Sequence, residues 1–523
     1  MTMSDAEYEW RPSINPWIIA MSVMLATFME VLDTTVVSVA LPNMAGGLAS
    51  TNEEATWVLT SYLVANAIVL PASGWFSLRF GRKRFLLFCT ALFTIGSFLC
   101  GIAPSMPFLV LARMLQGAGG GALQPLSQAI LLESFPRKQH GMAMAAFGIG
   151  VVVAPIIGPL LGGWLTDNYS WRWMFYINIP IGLLSLYLMS QFVEDPPYIK
   201  NAKPGTIDAV GFGFLAIWLA TLQIVLDKGQ QEDWFSSTWI SWFSVISVCA
   251  MALLIVRELR TAEPIVDLRV FKNRNFWVGN TLMALISACM YSSVTMVPLF
   301  VQTLLGYTAF SSGIATAPRG IGAMVAMPIV GKLMSYVDGK WLVMLGVVLV
   351  VTATLMFGGL TLDVAMVDLV LPNILQGFGM ALVMVLLMAI TVGTLPKEKM
   401  GNASGIFNLT RNLVGSIGIS ISATYLSRLA QVHQAHMVGH LSPFDPVFRE
   451  RLLGFQGFLS PLTGAPQAQI QAYSLMNGFM LQQATLKAFV DIFNWTAAIT
   501  AICIPAAFLL KKAISRQSSA VGH

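Results

Sequence analysis

Long apolar runs separated by short polar stretches fill almost the whole chain. A helix needs about 20 apolar residues to cross the hydrocarbon core of a bilayer. By that rule the runs predict spans near 17–41, 55–77, 85–103, 107–132, 141–166 and 173–193, then 208–227 and 236–256. Six more follow near 276–305, 309–335, 341–362, 366–393, 401–427 and 486–510. The predicted fold is an all-α polytopic membrane protein with fourteen transmembrane helices. Composition agrees, because 11% of residues are charged, against about 25% in soluble domains. A mean hydropathy of +0.71 makes lipid the main solvent and excludes a string of soluble domains.

Fourteen spans place both termini on one side, and the basic residues say which. With a cytoplasmic N-terminus the inner loops collect Arg79, Arg82, Lys83, Arg84, Arg137, Lys138, Lys200 and Lys203. They also hold Arg257, Arg260, Arg269, Lys272, Arg274, Lys332, Lys340, Lys397 and Lys399, and the termini add Arg11, Lys511, Lys512 and Arg516. Only Arg172, Lys228, Arg428, Arg449, Arg451 and Lys487 fall outside. This positive-inside bias predicts cytoplasmic termini. The same scatter through short loops leaves no basic patch for nucleic acid. Met1 to Pro16 carries Asp5, Glu7 and Glu9 and lacks the basic start of a signal peptide, so the first apolar run is expected to be retained. Cys89, Cys100, Cys249, Cys289 and Cys503 lie in apolar runs without a CxxC pair, which suggests neither a disulfide framework nor a thiolate metal site.

Leu115-Gln116-Gly117-Ala118-Gly119 recurs as Leu375-Gln376-Gly377-Phe378-Gly379, 260 residues later, and Gly74 has a counterpart at Gly331, 257 later. Two parallel six-helix bundles therefore account for 1–195 and 276–523, with two inserted helices and their linkers at 196–275. The polar segment 431–485 lies outside and reads as short amphipathic helices. Its His433, His436 and His440 have no acidic or cysteine ligand clustered with them in the sequence, so a solvated face is expected rather than a metal site.

An ionisable side chain within a span is expensive and marks a functional candidate. Glu30 and Asp33 are three residues apart and share a helix face. Counting the rise per residue, Asp33 lies roughly 12–14 Å from the outer end of its helix and Arg113 about 9–10 Å deep, so the two could pair. Two carboxylates this close in a low dielectric cannot both ionise cheaply. One of them is expected to hold a proton unless Arg113 neutralises both, which is what a proton carrier requires. The competing reading is an Arg–Asp pair that only fixes helix packing. Asp33 is read as functional, and for Glu30 both readings stay open. Arg319 and Arg411 are the mid-span cations of the second half. A cavity lined by them and by Gln116 would attract an anionic substrate. Alternatively, backbone carbonyls and neighbours such as Asn408 and Asn412 satisfy each Arg, and this structural reading is preferred.

The run Gly150-Val-Val-Val-Ala154-Pro155-Ile-Ile-Gly158-Pro159-Leu-Leu-Gly162-Gly163 puts two prolines and several glycines on one helix. Proline kinks a helix and glycine allows close contact. Such a smooth, bendable face suits a rocking element between two bundles.

These residues resemble the major facilitator superfamily, specifically the EmrB-like family of fourteen-helix drug:proton antiporters. Leu32-Asp33-Thr34-Thr35-Val36-Val37-Ser38-Val39-Ala40-Leu41-Pro42 is similar to its first-helix motif, Arg113-x-x-Gln116-Gly117 to the fourth-helix motif, and Ala154-Pro155 through Gly162-Gly163 to the antiporter motif. Trp171-Arg172-Trp173-Met174-Phe175-Tyr176-Ile177-Asn178-Ile179-Pro180 and Asn408-Leu409-Thr410-Arg411-Asn412 are similar too. The loop motif over Gly74, Arg79, Gly81 and Arg82 departs from the superfamily pattern, with Leu78 where an acidic residue is usual.

The resemblance implies the major facilitator fold in a bacterial inner membrane. It also implies proton uptake coupled to export of hydrophobic or amphiphilic compounds, driven by the proton motive force with no cofactor. An EmrA-type periplasmic adaptor, facing 431–485, and a TolC-like outer-membrane channel follow if the source is Gram-negative. An ATPase is excluded by the lack of any GxxxxGK[ST] loop. A channel or receptor would explain the helices but neither the repeat nor the buried carboxylates. The main alternative is a dedicated exporter of a metabolite, siderophore or fatty acid. The 29 Met and 31 Phe suit an adaptable pocket.

Overall fold

In a computed structural model the described residues are 12–510, except 137–138, 197–198, 200–207, 262–263, 265, 334–335, 394, 396, 440 and 443. The termini with Arg11, Lys511, Lys512 and Arg516, together with Arg137, Lys138, Lys200, Lys203 and His440, fall outside them. So do the side chains of Pro155 and Pro159.

Helix α1 (Pro16–Val39) starts where Asn15 accepts from the Trp17 N–H at 3.0 Å, with Pro16 in the first turn. After α2 (Leu41–Gly47), a capping box between Thr51 and Glu54 opens α3 (Asn52–Phe80). Gly81, at φ 87°, turns the chain directly into α4 (Arg82–Gly101), a conformation that favours glycine. The first half continues through α5 (Met106–Gly120), α6 (Leu123–Ser134), α7 (His140–Asn168), α8 (Trp173–Tyr176) and α9 (Asn178–Phe192). Helices α10 (Ala209–Lys228) and α11 (Thr238–Arg260) come next. Asp208 caps α10 by accepting from the Gly211 N–H at 3.0 Å. Hydrogen bonds from Arg257, helped by that N–H, hold its carboxyl below the usual Asp range. The second half comprises α12 (Arg274–Thr303), α13 (Ala309–Thr316), α14 (Pro318–Leu333), α15 (Gly339–Phe357), α16 (Val370–Val392), α17 (Lys397–Val438), α18 (Pro446–Thr463) and α19 (Ala465–Ala506).

Among the described residues, twelve helical stretches are long and apolar enough to cross a bilayer. The expected spans 107–132 and 141–166 are not among them. The first is broken at Gly121–Ala122 into α5 and α6, where the glycine run brings the backbone against α3. A Cβ at Gly117 would meet the Tyr62 carbonyl and one at Gly121 the Asn66 carbonyl. The second expected span lies in α7. The segment 431–485 also differs from expectation. Rather than only short helices, it contains the ends of two 42-residue helices, α17 and α19, with α18 between them. Large apolar side chains such as Phe88, Leu111, Trp242 and Trp277 face outward, as a lipid-solvated surface requires.

In the first half α1 packs on α6, α7 and α9, α3 on α5, and α4 on α5 and α9. In the second, α12 packs on α16, α17 and α19, and α14 and α15 on α16. The groups meet along a seam where α7 touches α14 and α3 touches α17. Helix α10 lies over that seam. Its Leu215 and Leu219 share a core with Leu70 of α3 and with Ile406 and Leu409 of α17. Near its end, Asp227 accepts from Thr60, Lys228 donates to Thr56, and the Leu226 carbonyl accepts from Ser420 at 2.7 Å. One helix thus hydrogen-bonds to both sides of the seam.

Both repeat offsets recur in three dimensions. Gly117 closes on the Tyr62 carbonyl as Gly377 closes on that of Arg319, and Gly119 meets the Phe93 N–H as Gly379 meets that of Val350. Side chains at these crossings have nowhere to go. Gly117→Val should cost about 1–3 kcal/mol by overpacking. Thermal unfolding in detergent checks this, and the same substitution at Gly163, which has open space around it, is expected to leave the transition unchanged.

Candidate functional site

Asp33, in the last third of α1, is buried together with Arg113 of α5, both side chains having no exposed surface. Arg113 Nη1 donates to Asp33 Oδ2 at 2.6 Å and to Gln116 Oε1 at 2.8 Å, while its Nε donates to the Val58 carbonyl of α3 at 3.1 Å. Gln116 Nε2 and Asn178 Nδ2 both donate to Asp33 Oδ1, at 2.9 and 2.8 Å. Asn178 also donates to Ser97 of α4 at 3.0 Å. The Tyr62 ring lies beneath the guanidinium at 4.3 Å. A charge this deep survives because its guanidinium partner and two amide donors replace water. Five helices are tied through the one carboxylate and its counter-ion.

Glu30, one turn along α1, faces a different space. Asn66 Nδ2 donates to it at 3.3 Å and Gln124 Nε2 at 2.9 Å. Gln124 Oε1 accepts in turn from Arg411 Nη2 at 3.3 Å, across the seam. Glu30, Asn66, Gln124, Asn408 and Asn412 line a cavity of about 20 Å³, room for about one water molecule. Asn408 donates to Gln128 at 3.4 Å, a second amide contact between the halves. Asn408 and Asn412 line this cavity, and Arg411, which adjoins it, donates through Nε to Asn412 Oδ1 at 3.2 Å, as expected of a satisfied arginine. Gln116 belongs instead to the Asp33 cluster. Arg319 lies elsewhere, and the backbone carbonyls expected to satisfy it do not, since its Nε and Nη2 are buried without a hydrogen-bond partner.

The glycine face of α7 is a correction. A Cβ at Gly158 would strike Thr35 and one at Gly162 would lie 3.0 Å from the Val36 carbonyl, while Gly150 is nearest Met24. Those glycines close on α1, beside Asp33, and not on the other bundle. Ala154 is buried in the same core. It is Gly148 that meets Met327 of α14 across the seam. In the loop motif Gly74 sits within α3, Arg79 is exposed, and Gly81 turns against Asp195. Arg82 pairs with Glu133, and Asp195 accepts from the Lys83 N–H at 2.8 Å. Two acids distant in sequence therefore surround a loop that lacks one at Leu78.

The sequence profile of the Major Facilitator Superfamily matches residues 23–419. The chain belongs to this superfamily. It is 36% identical to the multidrug export protein EmrB of Haemophilus influenzae over 92% of this chain and 93% of that one. Identity to EmrB of Escherichia coli K12 is 37% over the same shares. The fatty acid resistance protein FarB of Neisseria gonorrhoeae is 33% identical over 95% and 96%. A crystal structure of the human organic anion transporter MFSD10 (TETRAN) shares the fold at a TM-score of 0.58 and 15% identity, covering 93% of this chain and 100% of that one.

Within this major facilitator chain the second half repeats the Asp33 cluster in neutral form. Ser293, 260 residues after Asp33, accepts from Gln376 Nε2 at 2.6 Å, as Asp33 accepts from Gln116. Asn373, 260 after Arg113, donates to the Ala315 carbonyl at 3.2 Å, and Ala315 is 257 after Val58. Asn178, Ser97, Gln124 and Asn66 were not singled out from the sequence, although Asn178 lies inside the Trp171–Pro180 run. His433 has an acidic partner after all, Asp491 Oδ2 at 2.7 Å.

Removing one member of the ion pair strands the other. Arg113→Gln should cost about 3–5 kcal/mol. Combined with Asp33→Asn it should cost less than the two single changes added, with a coupling of about 1–3 kcal/mol. Unfolding of the four proteins in detergent gives the cycle, and strict additivity would contradict the pair.

Proposed function

We propose that this chain is a proton-coupled antiporter that exports hydrophobic or amphiphilic toxic compounds across a bacterial inner membrane, with Asp33 as the coupling carboxylate. One observation carries the reading: the buried Asp33–Arg113 pair and the Asn178 bonded to it tie five helices of one half together. Inside a bilayer, Asp33 loses its charge by taking a proton. Arg113, Gln116 and Asn178 then lose a shared ionic acceptor, and the helices they hold gain a different preferred packing. Proton occupancy so biases conformation, and a ligand with different affinity for the two packings is coupled to it. Arg113 is the direct counter-ion of Asp33. Glu30 is the second carboxylate, joined through Gln124 to Arg411 of the other half.

The names of the EmrB relatives support multidrug export. FarB's name favours the second reading, a dedicated exporter of fatty acids. We assign fourteen spans, divided as 1–195, 196–275 and 276–523, both termini cytoplasmic, and energy from the proton motive force without a cofactor. In that orientation Phe458 and Leu462 of α18 and Ile470 and Phe479 of α19, all exposed, form the face for an EmrA-type adaptor leading to a TolC-like channel.

The test is export from proteoliposomes under an imposed pH gradient. Asp33→Asn and the neutral pair Asp33→Asn/Arg113→Gln, compared at equal amounts of folded protein, should each lower gradient-driven export by about tenfold or more. Glu30→Gln should be milder and shift the pH dependence. Gradient-driven export by the neutral pair at the unmutated rate would remove Asp33 from the mechanism.

A further inference from the structure

The two halves build the same helix crossing and fill it with different charges. Where α3 meets α5, Tyr62 and Gly117 mark the contact, and Asp33 and Arg113 neutralise each other beside it. Where α14 meets α16, Arg319 and Gly377 mark the equivalent contact. Ser293 now stands in the place of Asp33 and Asn373 in that of Arg113. Among the described residues, the second crossing therefore holds a cation without a carboxylate.

Arg319 Nε and Nη2 are buried without a hydrogen-bond partner, and so are the acceptors Gln376 Oε1 and Asn373 Oδ1. Among the described residues no salt bridge reaches Arg319. Arg172 behaves differently, because its Nη1 donates to the carbonyls of Gly101 and Ala103 at 2.9 and 2.7 Å. Further along the same two helices Ala323, Ala326 and Met327 of α14 form an apolar cluster with Phe378 and Ala381 of α16. Met327 also reaches Gly148 at the seam, so this surface borders the region between the halves. Counting from Ala309, Arg319 lies about 15 Å along its span, deeper than lipid headgroups reach.

We infer that Arg319, where α14 crosses α16, is a substrate subsite that takes the carboxylate of an amphiphilic acid, whose apolar part lies along Ala323, Met327 and Phe378. This rests on the export reading above and names one of its substrate classes. The planar guanidinium matches a carboxylate in two-point fashion, as Arg113 and Gln116 together match Asp33. A small inorganic anion would gain nothing from the apolar wall, whereas an acyl or aryl acid gains from both parts.

Equilibrium binding to the full chain in nanodiscs tests this at pH 7.5, with radiolabelled decanoate and, separately, the lipophilic cation tetraphenylphosphonium. Arg319→Gln should weaken decanoate binding by about tenfold or more and leave tetraphenylphosphonium within about twofold, while Arg319→Lys should recover part of the decanoate binding. Unchanged decanoate binding by Arg319→Gln, or equal loss of both probes, would overturn the subsite. If the unmutated protein binds tetraphenylphosphonium but no decanoate, the subsite falls and the export reading stands. Binding of neither probe would overturn both.

Discussion

A carboxylate without water must have its charge answered by protein, and the arrangement around Asp33 follows from that constraint. Arg113 supplies the counter-charge, but a guanidinium that deep needs acceptors of its own, and these come from Gln116 and the Val58 backbone. Asn178 fills the remaining side of Asp33 and is itself aligned by Ser97. Each requirement recruits another helix, so the polarity of one residue organises the centre of a bundle otherwise held by van der Waals contact. Glycines complete the design from outside. Gly117 lets α5 approach α3 at Tyr62, and Gly158 lets α7 approach α1 two residues from Asp33. Satisfied buried charges of this kind cost more to break than they contribute to net stability, which suits a switch better than a strut.

The second half shows what remains when the charge is removed. Gln376 and Ser293 keep the hydrogen bond, and Asn373 keeps the backbone contact, on the offsets of 260 and 257 residues that relate the glycine motifs. Ionic coupling is concentrated in one half, while the other keeps the geometry and carries an unneutralised arginine. Between them run two amide-mediated contacts, Gln124–Arg411 and Gln128–Asn408. Amides make contacts weak enough to remake, as a moving seam requires. Helix α10 bridges α3 and α17 over the same seam.

Much of this was legible in the sequence, and the reasons it was legible are physical. Spans, repeat and the Asp33–Arg113 pairing all announce themselves through the cost of polarity in lipid, which leaves charges rare enough to be noticed. Asn178, Gln124 and Asn66 carry no charge and sit among many other amides, so nothing marked them. Helix breaks were hidden because an apolar run has the same composition whether straight or interrupted, as at Gly121. The direction of the α7 glycine face needed neighbours rather than spacing, and it points to α1. The loop motif looked incomplete at Leu78 because Glu133 comes from α6 and Asp195 from the segment that follows α9. Arg319 was visible as an oddity, but its lack of partners could only come from the packing around it.

The central claim is that the charge state of Asp33 and the binding of substrate compete. Proton release on ligand binding measures that competition directly. The purified protein is held in weakly buffered detergent solution with a pH dye, and tetraphenylphosphonium is added to saturation. The account predicts that the unmutated protein releases protons on binding and that the neutral pair Asp33→Asn/Arg113→Gln binds the same ligand while releasing none. Equal proton release by both proteins would contradict it.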